Sequence, residues 1–146
     1  MKKISRTAIV EHSAEAMHAL VEDIESYPRF LPWCREARIV ERGAGGTQAR
    51  LTVGLRGLRQ SFTTRNVSQP GRAIDMRLVE GPFRSFAASW RFIPLAERAC
   101  RIEYAMEYEF SSRVLAKVLE PLFDGMADTM VDAFIRRADE LGRNQR

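Results

Sequence analysis

Between Ile74 and Phe110 the sequence alternates with a period of two in three separate runs. Ile74, Met76 and Leu78 stand against Asp75 and Arg77, and Phe86, Ala88, Trp90 and Phe92 against Ser89 and Arg91. Ile102, Tyr104, Met106, Tyr108 and Phe110 stand against Arg101, Glu103, Glu107 and Glu109. Successive side chains of a strand point to opposite faces, so this pattern describes strands with one apolar and one wet face. Such a sheet is stable only when its apolar face is covered. The one long stretch left to cover it is C-terminal: Val114, Leu115, Val118, Leu119, Leu122, Phe123, Met126, Met130, Val131, Phe134 and Ile135 follow helical spacing. The expected fold class is therefore α+β, a curved antiparallel sheet of about seven strands wrapped on a long C-terminal helix. Pro121 falls inside the helical pattern and predicts a kink or restart near Glu120. Glu120, Asp124, Asp128 and Asp132 recur at every fourth residue and read as a solvated helix face.

The N-terminal half supplies the remaining elements. Residues 4–10, ISRTAIV, read as a strand, and Ser13 is placed to cap a helix whose apolar face is Met17, Leu20, Val21 and Ile24. The next segment, YPRFLPW at 27–33, crowds Tyr27, Phe30, Leu31 and Trp33 between two prolines with neither helical nor strand period. Beyond it come short strand-like runs bounded by glycine or proline, with GAGG at 43–46 as a hairpin turn. No repeat or linker interrupts the pattern, and 146 residues suit a single domain, 1–146, with residues 142–146 expected as a disordered tail.

Composition narrows the partners. A charged fraction of 29% and a hydrophobic fraction of 45% fit a folded globular chain. No apolar run approaches the roughly 20 residues of a membrane span. The basic start lacks the apolar core of a signal peptide, so the expected location is cytoplasmic, with peripheral contact at an inner membrane allowed. Cys34 and Cys100 have neither metal nor redox spacing and are expected as free thiols. The net charge of +4 favours anionic partners such as RNA or an acidic membrane surface. Twenty of the 23 basic residues are arginine, consistent with phosphate recognition or with codon preference alone. Arg59, Arg65, Arg77 and Arg91 fall at polar positions of the predicted sheet and are candidate RNA or ribosome contacts; DNA binding is not expected.

Catalytic chemistry is sparse. His12 and His18 lack a nucleophile or a metal-ligand spacing and read as surface residues. GAGG lacks the following helix that a phosphate cradle needs. Glu103, Glu107 and Glu109 share the wet face, which disfavours paired-carboxylate chemistry in an interior. No catalytic residue and no metal ligand is assigned.

The runs VEDIESYPRFLPWCREARIVER, LTVGLRGLRQSFTTRNV, EGPFRSFAASWRF and ACRIEYAMEYEF, with the C-terminal helical segment, resemble the coenzyme Q-binding START-like family, particularly its bacterial ribosome association toxin (RatA) branch. The similarity spans roughly residues 3 to 141. It implies a helix-grip fold with an apolar tunnel between sheet and helix. Residues 87–89 are small where relatives often carry acids. In this light Phe62, Met76, Leu78, Phe83, Phe86, Trp90, Met106 and Tyr108 of the sheet, with Phe123, Met126 and Met130 of the helix, are expected to line the tunnel. The alternative is an ordinary packed core. Tyr27, Phe30 and Trp33 are expected as an aromatic lip at its mouth. The implied function is non-enzymatic binding of ubiquinone or another polyprenyl lipid in support of respiration, the quinone being a ligand and not a resident cofactor. A toxin that binds the large ribosomal subunit is the alternative, and a polyketide cyclase-like enzyme the least supported.

Overall fold

The computed structural model describes residues 1–144. The chain runs β1 (Lys2–Val10), α1 (Ala14–Glu22), a 3-10 helix (Ile24–Arg29), β2 (Cys34–Gly43), β3 (Gly46–Leu55), β4 (Leu58–Gln69), β5 (Ala73–Glu80), β6 (Phe83–Ala96), β7 (Ala99–Phe110) and α2 (Arg113–Asn144). The seven strands form one antiparallel sheet in the order β1-β7-β6-β5-β4-β3-β2. The six strands from β2 onward are a meander, and β1 returns to pair with the last of them.

The period-two parity holds through the later strands. Along β7, Cys100, Ile102, Tyr104, Met106, Tyr108 and Phe110 are buried while the residues between them are not, and β6 shows the same register. Paired inner positions such as Trp90 with Tyr104 and Ala88 with Met106 place these faces on one side. Against that side lies α2, burying Leu119, Leu122, Phe123, Met126, Ala127, Val131 and Phe134 at helical spacing. The resulting architecture is the START-like helix grip, an antiparallel sheet closed over a long terminal helix.

Four details depart from the sequence reading. First, α2 is helical without interruption across Pro121. Proline removes one backbone donor, but its ring lies on the exposed side and the buried stripe on either flank holds the helix together. Second, α2 continues to Asn144, so residues 142–144 are helical and not a tail; residues 145 and 146 lie outside the described residues.

Third, among the described residues three of the four acids in the α2 row are paired, and only Asp132 is simply solvated. Lys2 Nζ lies 2.7 Å from Asp124 Oδ1 and 3.4 Å from Glu120 Oε1, and Arg6 Nη2 lies 2.7 Å from Asp128 Oδ1. These contacts stitch edge strand β1 to the helix, and the hydrogen bond to Asp124 holds the Lys2 amine above its usual pKa.

Fourth, His18 is buried, at 5% exposure. Its ring meets Phe92 edge-on at 5.6 Å, Nδ1 is 2.9 Å from Glu22 Oε1, and Nε2 has no partner among the described residues. The burial follows because α1 packs against both α2 and β6, which widens its covered face beyond Met17 and Val21. His12 is also partnered, with Nε2 2.7 Å from Asp139 Oδ1.

Candidate functional site

The sheet and α2 enclose an apolar chamber. The 3-10 helix and the turn after it supply Tyr27, Leu31 and Trp33, and the middle strands supply Phe62, Met76, Phe86, Trp90 and Met106. The helix closes it with Phe123, Met126 and Met130. All of these except Leu31 are residues expected at the tunnel from the sequence. Four of the chain's six methionines therefore meet in one place.

Phe30, Leu78, Phe83 and Tyr108 do not line the chamber. Phe30 packs on the outer side of Phe134, ring centroids 5.1 Å apart, beneath the Arg137 guanidinium at 5.5 Å. Phe83 stacks on Phe110 at 5.1 Å and meets Phe123 edge-on, while Tyr108 hydrogen-bonds Asp124 Oδ1 at 3.4 Å. That cluster plugs one end of the core. Leu78 is half-buried against the core's margin.

The chamber also takes Leu51, Thr64, Ala88, Tyr104 and Phe134, which the sequence reading did not select. Ala88, Tyr104 and Phe134 share strand parity or helix face with Trp90, Met106 and Met130, so the signal was present. Thr64 shares the β4 parity of Phe62 but is polar, and Leu51 lies on β3, whose alternation is too weak to orient it. Trp33 is buried, and Tyr27 donates its hydroxyl to the Val21 carbonyl. Of the three aromatics expected at the mouth, Tyr27 and Trp33 line the chamber wall and Phe30 does not.

The free space is small, about 50 Å³. Pockets for drug-sized ligands run to roughly 300–1,000 Å³, so a guest enters only as the lining moves aside. Methionine suits this, being unbranched and polarizable. The polar groups on the wall are already engaged: Thr64 Oγ1 donates to Asn66 Oδ1 at 2.8 Å, Tyr104 Oη approaches Met106 Sδ at 3.4 Å, and Trp33 Nε1 donates to Thr129 Oγ1 at 3.3 Å. No carboxylate, imidazole, amine, guanidinium or thiol lines it among the described residues. Burial raises the phenol pKa values of Tyr27 and Tyr104 far above their usual range, so both remain neutral donors. Among the described residues no cluster of three or more His, Cys, Asp or Glu is placed to hold a metal.

The outer face of the sheet is a second, polar surface. Arg65 on β4 stands directly opposite Arg77 on β5. Arg59 lies on the same face of β4, beside an open depression that also takes Glu36, Arg38, Arg50, Thr52, Gln60 and Ser61. Arg91 is neutralised, its Nη2 lying 2.9 Å from Asp75 Oδ1. Arg38 and Arg50, opposite one another on β2 and β3, were missed from the sequence because register shifts at Cys34/Glu36 and Ile39/Glu41 break the parity of β2.

Comparison with known proteins assigns the class. The chain belongs to the polyketide cyclase / dehydrase and lipid transport family, whose model matches residues 10–135. It is 43% identical over 141 residues to the ribosome association toxin RatA of Escherichia coli, covering 97% of this chain and 89% of that one. It is 26% identical over 136 residues to the mitochondrial coenzyme Q-binding protein COQ10 of Drosophila melanogaster, covering 90% of this chain and 56% of that one. Among solved structures, a Streptomyces aromatase/cyclase superposes with a TM-score of 0.83 at 19% identity, covering 94% of this chain and 93% of its own. A START superfamily protein of Mycobacterium smegmatis superposes with a TM-score of 0.81 at 24% identity, covering 95% of this chain and 98% of its own. None of the described helices is long and apolar enough to cross a membrane.

Proposed function

We propose that this protein binds a long hydrophobic molecule of the polyprenyl-quinone class in its central chamber, without chemically altering it. The observation that carries this reading is the chamber's lining of thioethers and aromatic rings, with its few polar groups already hydrogen-bonded. An apolar guest gains about 25 cal/mol for each Å² it buries, and an isoprenoid tail offers that area while demanding no polar partner. Acid–base or nucleophilic catalysis needs a titratable group at the reacting atom, and the described wall offers only neutral phenols. The name of the fly relative supports the ligand class. Such a guest lives in membranes, so transient contact with an inner-membrane surface belongs to this reading.

The test is mass spectrometry of lipids extracted from the purified protein, paired with thermal melting in the presence of a soluble short-chain ubiquinone. A co-purified quinone and a rise in Tm are expected. Protein that is lipid-free and shows no shift with any quinone removes the proposal.

A second reading concerns the ribosome. Bacterial relatives at 40–43% identity, those of Escherichia coli and Vibrio cholerae among them, are named ribosome association toxin RatA, and they cover nearly the whole chain. We infer that this protein also associates with the large ribosomal subunit. Association would use the exterior while the ligand occupies the interior, so the two readings are compatible. Co-sedimentation of the purified protein with isolated large subunits tests the second one.

A further inference from the structure

We propose that a diagonal row of arginines on the outer face of β2–β5 is a docking surface for the phosphate backbone of folded RNA. The proposal rests on the ribosome-associating reading and gives it a surface. Arg38 on β2 stands opposite Arg50 on β3, and Arg65 on β4 opposite Arg77 on β5. Arg50 itself faces Thr63, and Arg65 is the next residue on that face of β4, which joins the two pairs into one row. Neighbouring strands lie about 4.8 Å apart, so the row crosses roughly 14 Å of sheet.

Like charges placed directly opposite one another destabilise a sheet, and this sheet carries two such pairs side by side. Neither pair is relieved. Among the described residues, none of Arg38, Arg50, Arg65 and Arg77 makes a salt bridge, and Arg65 donates only to the neutral Gln48 Oε1, at 2.9 Å. Elsewhere on the face the outcome is different: Arg91 pairs with Asp75, Arg84 with Glu109 and Arg101 with Glu103. The uncompensated charge is thus confined to one half of the sheet. Guanidinium forks match phosphate oxygens two at a time, and binding a polyanion removes the repulsion that folding leaves in place.

The surroundings choose the polyanion. Between the arginines lie Gln48, Thr52, Ser61 and Thr63, so the floor is polar and hydrogen-bonding; Glu36, opposite Thr52, and Glu80, opposite Thr63, stand at its margins and, among the described residues, do not bridge to the row. A membrane-binding face adds large apolar groups that enter the lipid; here the exposed apolar neighbours are Val67 and Val79 at the edge of the row, with no aromatic or leucine-sized group between the arginines. No aromatic residue is among the exposed large hydrophobics, so there is no platform on which unpaired bases stack. A surface with forks and hydroxyls but no stacking rings follows a backbone of fixed shape, which describes duplex regions of folded RNA.

The test compares the full chain with Arg50→Glu/Arg65→Glu and with a control of equal charge change from the paired half, Arg84→Glu/Arg101→Glu. Each is titrated with a fluorescent 20-base-pair RNA duplex over a range of salt, and co-sedimented with large ribosomal subunits. Circular dichroism and thermal melting check the fold, and Arg50→Gln/Arg65→Gln replaces the reversal if that variant does not fold. The row variant is expected to bind duplex at least about tenfold more weakly, with a salt slope shallower by about two, while the control stays close to wild type. Wild type and row variant sedimenting alike with large subunits overturns the row and leaves the ribosome reading standing. Duplex binding through the row with no sedimentation of wild type overturns the ribosome reading and leaves the row. Row-dependent retention on phosphatidylglycerol vesicles with no row-dependent RNA binding overturns RNA as the occupant.

Discussion

Trp33 Nε1 lies 3.3 Å from Thr129 Oγ1, and that hydroxyl donates in turn to the Gly125 carbonyl at 2.9 Å. The contact ties the proline-bounded segment before β2 to the middle of α2, and so joins two walls of the chamber. Trp33→Phe keeps most of the buried ring and drops the donor, at an expected cost of ~1 kcal/mol in urea unfolding. Thr129→Val strands the buried indole N–H and is expected to cost ~1–3 kcal/mol. Unchanged urea midpoints in both variants would show that the segment is held by packing alone.

Added bulk inside the chamber has a determined sign, because only about 50 Å³ is free. Met126→Trp is expected to overpack the wall, lower stability by ~1–3 kcal/mol and abolish any quinone-induced rise in Tm. Thermal melting with and without a short-chain quinone reads both effects. A variant as stable as wild type would mean that the resting chamber is larger than its static volume.

Alkaline stability follows from the buried acids. Burial pushes the Cys34 thiol up to about 11, and also raises the Cys100 thiol and the Tyr27, Tyr104 and Tyr108 phenols. A group whose pKa is raised by folding lends stability in full below its unfolded value and loses it as the pH climbs through the folded one. Unfolding free energy should therefore decline once the pH passes the usual thiol value of 9.0, and fall further above the usual phenol value of 10.0. Cys34→Ala/Cys100→Ala is expected to delay the onset; an identical profile in that variant would exclude the thiols as its source.

Arg56 has φ 54° beside Gly57 at φ 83°, at the tip of the hairpin joining β3 and β4. Two successive positive angles suit a type I′ turn, which asparagine enters more easily than arginine does. Arg56→Asn is expected to raise stability by ~0.5–1 kcal/mol in chemical unfolding. No gain would mean that the arginine side chain makes up the difference.

Neither imidazole reaches the chamber: His12 is bound to Asp139 and His18 sits against Phe92. The double variant His12→Gln/His18→Leu is expected to take up quinone as wild type does. A folded double variant that fails to take it up would return histidine to the site.

The parity of β5–β7 and the stripe of α2 were legible because alternation and helical period act directly on burial, and they located Trp90, Met106, Phe123 and Met126 before any geometry was known. What escaped depends on tertiary context. Arg38 and Arg50 face one another only after the irregular register of β2 is resolved. His18 is buried because two elements converge on α1, which no local pattern records. Pro121 is a helix breaker by intrinsic preference, overridden by packing on both flanks. The 50 Å³ chamber depends on how side chains settle, and residue types alone could not distinguish an open tunnel from a collapsed one.

The pairing of the first strand with the last has a consequence for biosynthesis. Lys2–Val10 finds its hydrogen-bonding partner only when Ala99–Phe110 has been made, and the inner face of the meander stays bare until Arg113–Asn144 follows. During translation the growing chain therefore trails an unpaired strand at its front and an uncovered apolar sheet behind it. Contacts so distant in sequence form slowly, so nascent copies should draw on chaperones until α2 has been made and closes the grip.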